Sequence, residues 1–228
     1  MVYGELGIQP LESQIKSRMI GYWGKLVTFS PDKFCFLMYT VSWGKEYTSK
    51  WNNKVQDILN ETGFGYLWQQ TNAGSLTIGK IQEIKQRISD QCLQKLKSND
   101  SCSTKKTQYL LLKEDWKIEK YLENLDYSHA ITLLKFRLDN HKLPVEIGRY
   151  QKIDYKDRIC PKCRTEIGDK FHYIFSCPSF TTERQKFIPH RFRNRSNIYK
   201  YKDLLNHSNT KVLNNLCRFI KLILAKVK

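Results

Sequence analysis

The chain has 228 residues, 40% of them apolar and 13% aromatic, which is enough for one large domain or two small ones around a real core. No apolar run approaches the ~18 residues of a membrane span, and the start "MVYGELGIQPLESQ" has neither the basic end nor the apolar stretch of a secretory leader, so an intracellular protein, nuclear or cytoplasmic, is expected. The formal net charge is +17, and residues 142–228 carry 20 Lys and Arg against 7 Asp and Glu, whereas residues 1–141 carry 19 against 15; an excess gathered in one part of a chain is the footprint of a polyanion partner.

In chain order, residues 10–27 set Ile15, Met19, Ile20, Trp23, Leu26 and Val27 at helical spacing behind Pro10, which suits a first turn. Ser49 is a suitable N-cap for a second helix with Trp51, Val55, Ile58 and Leu59 on one face, stopping at Gly63. A longer helix over 77–97 rests on Ile78, Ile81, Ile88, Leu93 and Leu96, and the polar stretch 98–106 reads as a loop. Shorter helices are expected at 106–113, 117–125 and 128–140, the last built on Ile131, Leu134, Phe136 and Leu138, with Pro144 and Gly148 closing the region. A terminal helix over 210–227 carries Leu213, Leu216, Ile220, Ile223, Leu224 and Val227. The predicted fold is mostly α: an irregular helical domain over 1–144, then a small zinc-knuckle unit with a C-terminal helix over 145–228.

Seven cysteines are an odd number for a disulfide framework. Cys35, Cys92, Cys102 and Cys217 stand apart and read as ordinary buried or half-buried thiols. The others lie in "RICPKCRTEIGDKFHYIFSCPSF" (158–180), where Cys160, Cys163, His172 and Cys177 form C-x2-C-x8-H-x4-C. Three thiolates and an imidazole are the number and type of donors that tetrahedral Zn2+ takes, and four protein ligands leave no position for a reacting water. A turn and a short hairpin or helix start would each deliver two ligands, and the metal would serve as the core of a unit with few apolar residues besides Phe171, Tyr173, Ile174 and Phe175. Glu166 and Asp169 read as solvated loop residues, and His129, His141, His190 and His207 lack ligand spacing. The chain has no nucleotide-binding P-loop, no nucleophile elbow, no H-E-x-x-H and no Tyr-x-Asp-Asp; "YKDR" (155–158) has one acid where two are needed, and neither Asp154 with Asp157 nor Glu114 with Asp115 sits in a recognisable catalytic setting. No enzyme is expected.

Cations and aromatics flank the cluster. Arg149, Arg158, Lys162 and Arg164 surround the first cysteine pair, and Arg191, Phe192, Arg193, Arg195 and Tyr199 follow the last ligand. Charges for phosphates and ring faces for bases are what a surface for single-stranded RNA or DNA needs. Arg137 and Arg149 either pack on a carboxylate or meet a phosphate.

"VYGELGIQPLESQIKSRMIGYWGKLV" (2–27), "LLKFRLDNHKLPVEIGRYQKI" (133–153), "DRICPKCRTEIGDKFHYIFSCP" (157–178) and the terminal "LCRFIKLILAKV" resemble, in order, the C-terminal tail of non-LTR (LINE-type) retrotransposon polyproteins. The resemblance implies a region downstream of a reverse transcriptase whose Cys-Cys-His-Cys knuckle helps to grip template RNA or target DNA. It carries Cys160, Cys163, His172 and Cys177 over as zinc ligands, and implies a fragment that begins where the polymerase has ended. A different expectation is a protein-interaction module, docking on a polymerase body or other partner through apolar faces of the helices over 10–27 and 210–227.

Overall fold

The computed structural model describes residues 1–42, 49–69, 76–98, 109–113 and 115–227. The expected thiol Cys102 and the expected acid Glu114 fall outside them, as does most of the 98–106 loop. All the named elements are helical; besides them the described residues show two isolated antiparallel bridges, Leu6 with Ile118 and Ile159 with Ile167. No helix among the described residues is long and apolar enough to cross a membrane.

The chain divides into two compact units, Gln9–Asp100 and a larger one made of Met1–Ile8 with Ser101–Lys228. A first turn, α1 (Val2–Glu5), belongs to the larger unit. The smaller unit holds α2 (Leu11–Val27), α3 (Phe34–Ser42), α4 (Lys50–Thr62), α5 (Tyr66–Gln69) and α6 (Ile78–Ser98). Its core is built from Ile20, Trp23, Val55, Ile58, Leu59, Ile84 and Ile88, with α2 packed against α6, α4 and α3. α4 starts and ends as its sequence predicts: Ser49 accepts the Asn52 N–H, and Gly63 takes φ +84° at the C-cap, a conformation that costs a residue with a Cβ. In α6 the centre of the buried face is Ile84, while Ile78 is 81% exposed. Ile81, Ile84 and Ile88 recur at three and four; Ile78 opens the helix and has no turn before it to pack beside. α3 was not predicted, because "FCFLMYTVS" opens with an unbroken apolar run that hides the helical period. It is anchored by Tyr39, whose hydroxyl accepts the Trp23 indole N–H at 3.0 Å. Cys35 on this helix is exposed, neither buried nor half-buried as expected, whereas Cys92 is half-buried and Cys217 buried.

The larger unit continues with a helical turn at 109–112, then α7 (Lys120–Asn124), α8 (Tyr127–Arg137), α9 (Pro144–Tyr150), α10 (Thr181–Phe187), α11 (His190–Arg193), α12 (Ile198–Leu205) and α13 (Thr210–Lys226). The predicted boundary between 144 and 145 does not separate two cores. Leu133, Phe136 and Leu143 share one apolar cluster with Tyr173, Ile174, Leu204, Leu216, Phe219 and Ile220, and α13 packs against α7, α8, α10 and α12. The reason lies in α13, too apolar along one side to be covered by a small zinc-held unit alone.

Asp126 caps α8, its carboxylate accepting the His129 N–H at 3.0 Å. The helix stops at Arg137, and Asp139 takes φ +55°. Pro144 and Gly148 do not close a helix; they lie within α9, with Pro144 at its first position. Gly148 is small for a different reason, since a Cβ there would come within 2.6 Å of the Arg158 side chain. Arg137, fully buried, pairs with the buried Glu5 at 3.1 Å and with Glu119 at 3.4 Å, and Lys113 meets Glu119 at 2.6 Å. Of the two readings open for Arg137, the carboxylate holds.

Candidate metal centre

The chain folds into a short hairpin at 158–168 because two backbone bonds close it: Cys160 N–H donates to Glu166 O at 2.8 Å and Gly168 N–H to Arg158 O at 2.9 Å. Within it, Arg164 N–H donates to Cys160 O at 2.8 Å, closing the turn that carries Cys160 and Cys163, and Arg164 itself takes the left-handed φ of +57° as the chain leaves that turn. Asp169 then accepts the His172 N–H at 2.7 Å and starts a π-helical turn, His172–Ser176, closed by Cys177 N–H to His172 O at 2.8 Å. In an α-helix, residues five apart point about 140° away from each other. The wider π turn brings His172 and Cys177 to one side.

The four donor atoms lie within 4.8 Å of one another. Cys160 Sγ is 3.9 Å from Cys177 Sγ, and Cys163 Sγ is 3.3 Å from His172 Nε2. A tetrahedron with metal–sulfur bonds of ~2.3 Å has sulfur–sulfur edges of ~3.8 Å, whereas a disulfide would need ~2.05 Å. Spacing and donor chemistry therefore fit one thiophilic metal ion held by three sulfurs and an imidazole, and the residues predicted as ligands are those the fold brings together. Burial opposes ionisation of Cys163, but the Thr165 hydroxyl and the N–H groups of Thr165 and Glu166 outweigh it and hold this thiol down to about 6. Burial pushes Cys177 up to about 12, against the Ser179 N–H and with the sulfurs of Cys160 and Cys163 adding to it. A cation among them is what lets three neighbouring sulfurs ionise together.

Two supporting residues escaped the sequence reading. Glu166 is not merely solvated: its Oε2 lies 2.6 Å from His172 Nδ1, which leaves Nε2 to face the sulfurs. An acid six residues before the histidine, inside the x8 loop, was the signal that could have found it. Arg184 on α10 is buried and donates to Ile174 O at 2.7 Å, Tyr173 O at 3.3 Å and Cys177 O at 2.7 Å, satisfying carbonyls at the end of the π turn. Nothing local in the sequence marks it. Nor would a bound metal be the core of its surroundings: Tyr173, Ile174, Phe175 and Phe180 belong to the same apolar cluster as α13.

The predicted nucleic-acid residues divide. Phe192, 1% exposed, is in the core and offers no face for a base, while Tyr199 is 78% exposed. Lys162, Arg164 and Arg195 are exposed. Arg191 lies over the Phe192 ring at 4.5 Å and 4.0 Å from Asp203. Arg158 is a staple, donating to Ile153 O at 2.9 and 2.8 Å and to Val145 O at 3.0 Å, and Arg193 Nε donates to Ile188 O at 2.9 Å. Arg149 pairs with Glu146 at 3.0 Å, the carboxylate alternative again. Arg149, Arg158 and Tyr199 line one groove.

Comparison with protein-family models, with curated proteins and with solved structures returned no match to the chain.

Proposed function

We propose that the chain is the zinc-held, nucleic-acid-binding tail of a non-LTR retrotransposon polyprotein, a binder of single-stranded RNA or DNA without a catalytic centre of its own. The observation that carries this reading is the convergence of Cys160, Cys163, His172 and Cys177 within the segment where Lys and Arg outnumber Asp and Glu by 20 to 7. Zinc, when bound, supplies charge compensation and a rigid cross-link between the hairpin and the π turn. Four protein donors fill its shell, which suits a structural role. Lys162 and Arg164 ride on the turn that the metal closes, so their placement depends on it.

Metal analysis of the purified chain tests the first half, with one zinc per chain expected. A salt series with single-stranded RNA and DNA tests the second. Each phosphate contact contributes about −0.7 to the slope of log K against log salt, so changing Lys162, Arg164 and Arg195 together to Ala should weaken binding to all sequences alike and flatten the slope by about 2. Unchanged affinity and slope would remove these cations from the interface.

A second reading, a module that docks on a polymerase body or other protein, is favoured by one observation. Phe34, Leu37, Met38 and Val41 leave an apolar face on α3 that is between 49% and 73% exposed. The face expected on the terminal helix is buried, Leu213, Leu216, Ile220 and Ile223 being at most 3% exposed, and α2 buries Ile20, Trp23, Leu26 and Val27. Association through α3 would respond little to salt.

A further inference from the structure

A groove of about 600 Å³ opens in the larger unit between α9, the turn at Tyr155, the segment that enters His172, and α12. That is the size of a small-ligand site. Val145, Phe171 and Ile198 supply apolar walls, and Tyr155 and Tyr199, 51% and 78% exposed, add ring faces. Lys202 and Arg158 add positive charge. The carboxylates of the lining are engaged: Asp139 with Lys170 at 2.5 Å, Glu146 with Arg149 at 3.0 Å, and Asp169 with the His172 N–H at 2.7 Å. Tyr201, only 6% exposed, and Arg149 belong to the lining, and neither the buried Tyr201 hydroxyl nor the buried Nε of Arg149 has a hydrogen-bond partner among the described residues. A buried polar atom without a partner is rare in a folded protein, and here two of them belong to residues of one groove.

We propose that this groove receives one unstacked base of a single-stranded nucleic acid, the ring lying against Tyr199 and Phe171 and the adjoining phosphate beside Lys202. Apolar and aromatic walls suit a base, which has a π face and polar edges; the cations suit its phosphate. The inference rests on the nucleic-acid reading above and narrows it from backbone attraction to base capture. It also ties the groove to the metal centre, because Lys170 and Phe171 directly precede the ligand His172.

The test uses the full zinc-loaded chain and single strands of about 12 nucleotides, RNA and DNA, each beside an abasic strand of the same length and charge. The wild type should bind the base-bearing strand at least about five-fold tighter than the abasic one, the lower end of what stacking one base contributes. Tyr199→Ala, at an exposed position, should reduce that ratio about five-fold or more while leaving abasic affinity unchanged. Ile198→Glu sets a carboxylate at the groove, at a helix start that favours an acid, and should weaken the base-bearing strand more than the abasic one. If base-bearing and abasic strands bind the wild type alike, or both variants keep its ratio, base capture in this groove is wrong and the nucleic-acid reading stands. If neither strand binds the wild type, the nucleic-acid reading itself falls, the groove with it, and a protein ligand becomes the occupant to seek.

Discussion

Changing Glu166 to Ala probes the metal centre without touching a ligand. His172 is held at both ends of its ring, with Nε2 3.3 Å from Cys163 Sγ and Nδ1 2.6 Å from Glu166 Oε2. The Glu166 side chain is 60% exposed, so its removal opens no cavity and strands no buried charge. What is lost is the acceptor that fixes the tautomer and the ring angle. Losses of this kind cost about 10- to 100-fold in metal affinity, or ~1.4–2.7 kcal/mol. Zinc titrated in competition with a chelating dye at neutral pH reads the affinity, and circular dichroism in saturating zinc checks that the fold is unchanged. Gln at the same position keeps an oxygen that can accept from Nδ1, and should recover most of the loss. An Ala variant within about two-fold of wild type would refute the argument, being well short of the expected loss. A Gln variant as weak as Ala would show that charge, not orientation, is what the carboxylate supplies.

Cys163→Ser should abolish stoichiometric zinc binding, and because Tyr173, Ile174 and Phe180 share a core with α13, hydrogen exchange should quicken along α13 as well as around 155–180, while the separate core of α2, α4 and α6 keeps its protection. Arg137→Ala leaves Glu5, which is 0% exposed, buried beside Glu119 without its guanidinium, and chemical denaturation should show a loss of about 3–5 kcal/mol. Burial raises the Asp139 carboxyl, but the His141 imidazole 3.5 Å away and the Lys170 ammonium more than reverse this, so its native value lies below the ordinary 3.8. The stability it contributes is present above that ordinary value and is lost as pH falls through the depressed one. Asp139→Asn, in a left-handed conformation (φ +55°) that Asn tolerates, should destabilise the protein at neutral pH and make the acid limb of the stability curve below pH 3.8 shallower. An acid limb of unchanged slope would remove Asp139 from the acid response.

The sequence by itself determined the features set by residues within a turn of each other. Ser49 and Gly63 bound α4 through caps that need only the adjacent backbone, and the period of α2 and α13 follows from the helix repeat. The four candidate ligands were legible because few side chains bind soft metals, and two short spacings, two and four residues, bring each pair together through local turns. Only the tertiary structure decided what depends on distant partners. Glu5 and Arg137 pair across 132 positions, and Arg184 finds its carbonyls because α10 folds back on the π turn. The basic stretch after Cys177 shows the limit most directly. Phe192 and Tyr199 are both aromatics among arginines and lysines, and nothing in their neighbours tells them apart. Yet Phe192 is 1% exposed and Tyr199 78%, because Phe192 on α11 faces the cluster shared with α13, and Tyr199 lies on the side of α12 that borders the groove. Burial belongs to the surface that another element covers, and that element is specified elsewhere in the chain.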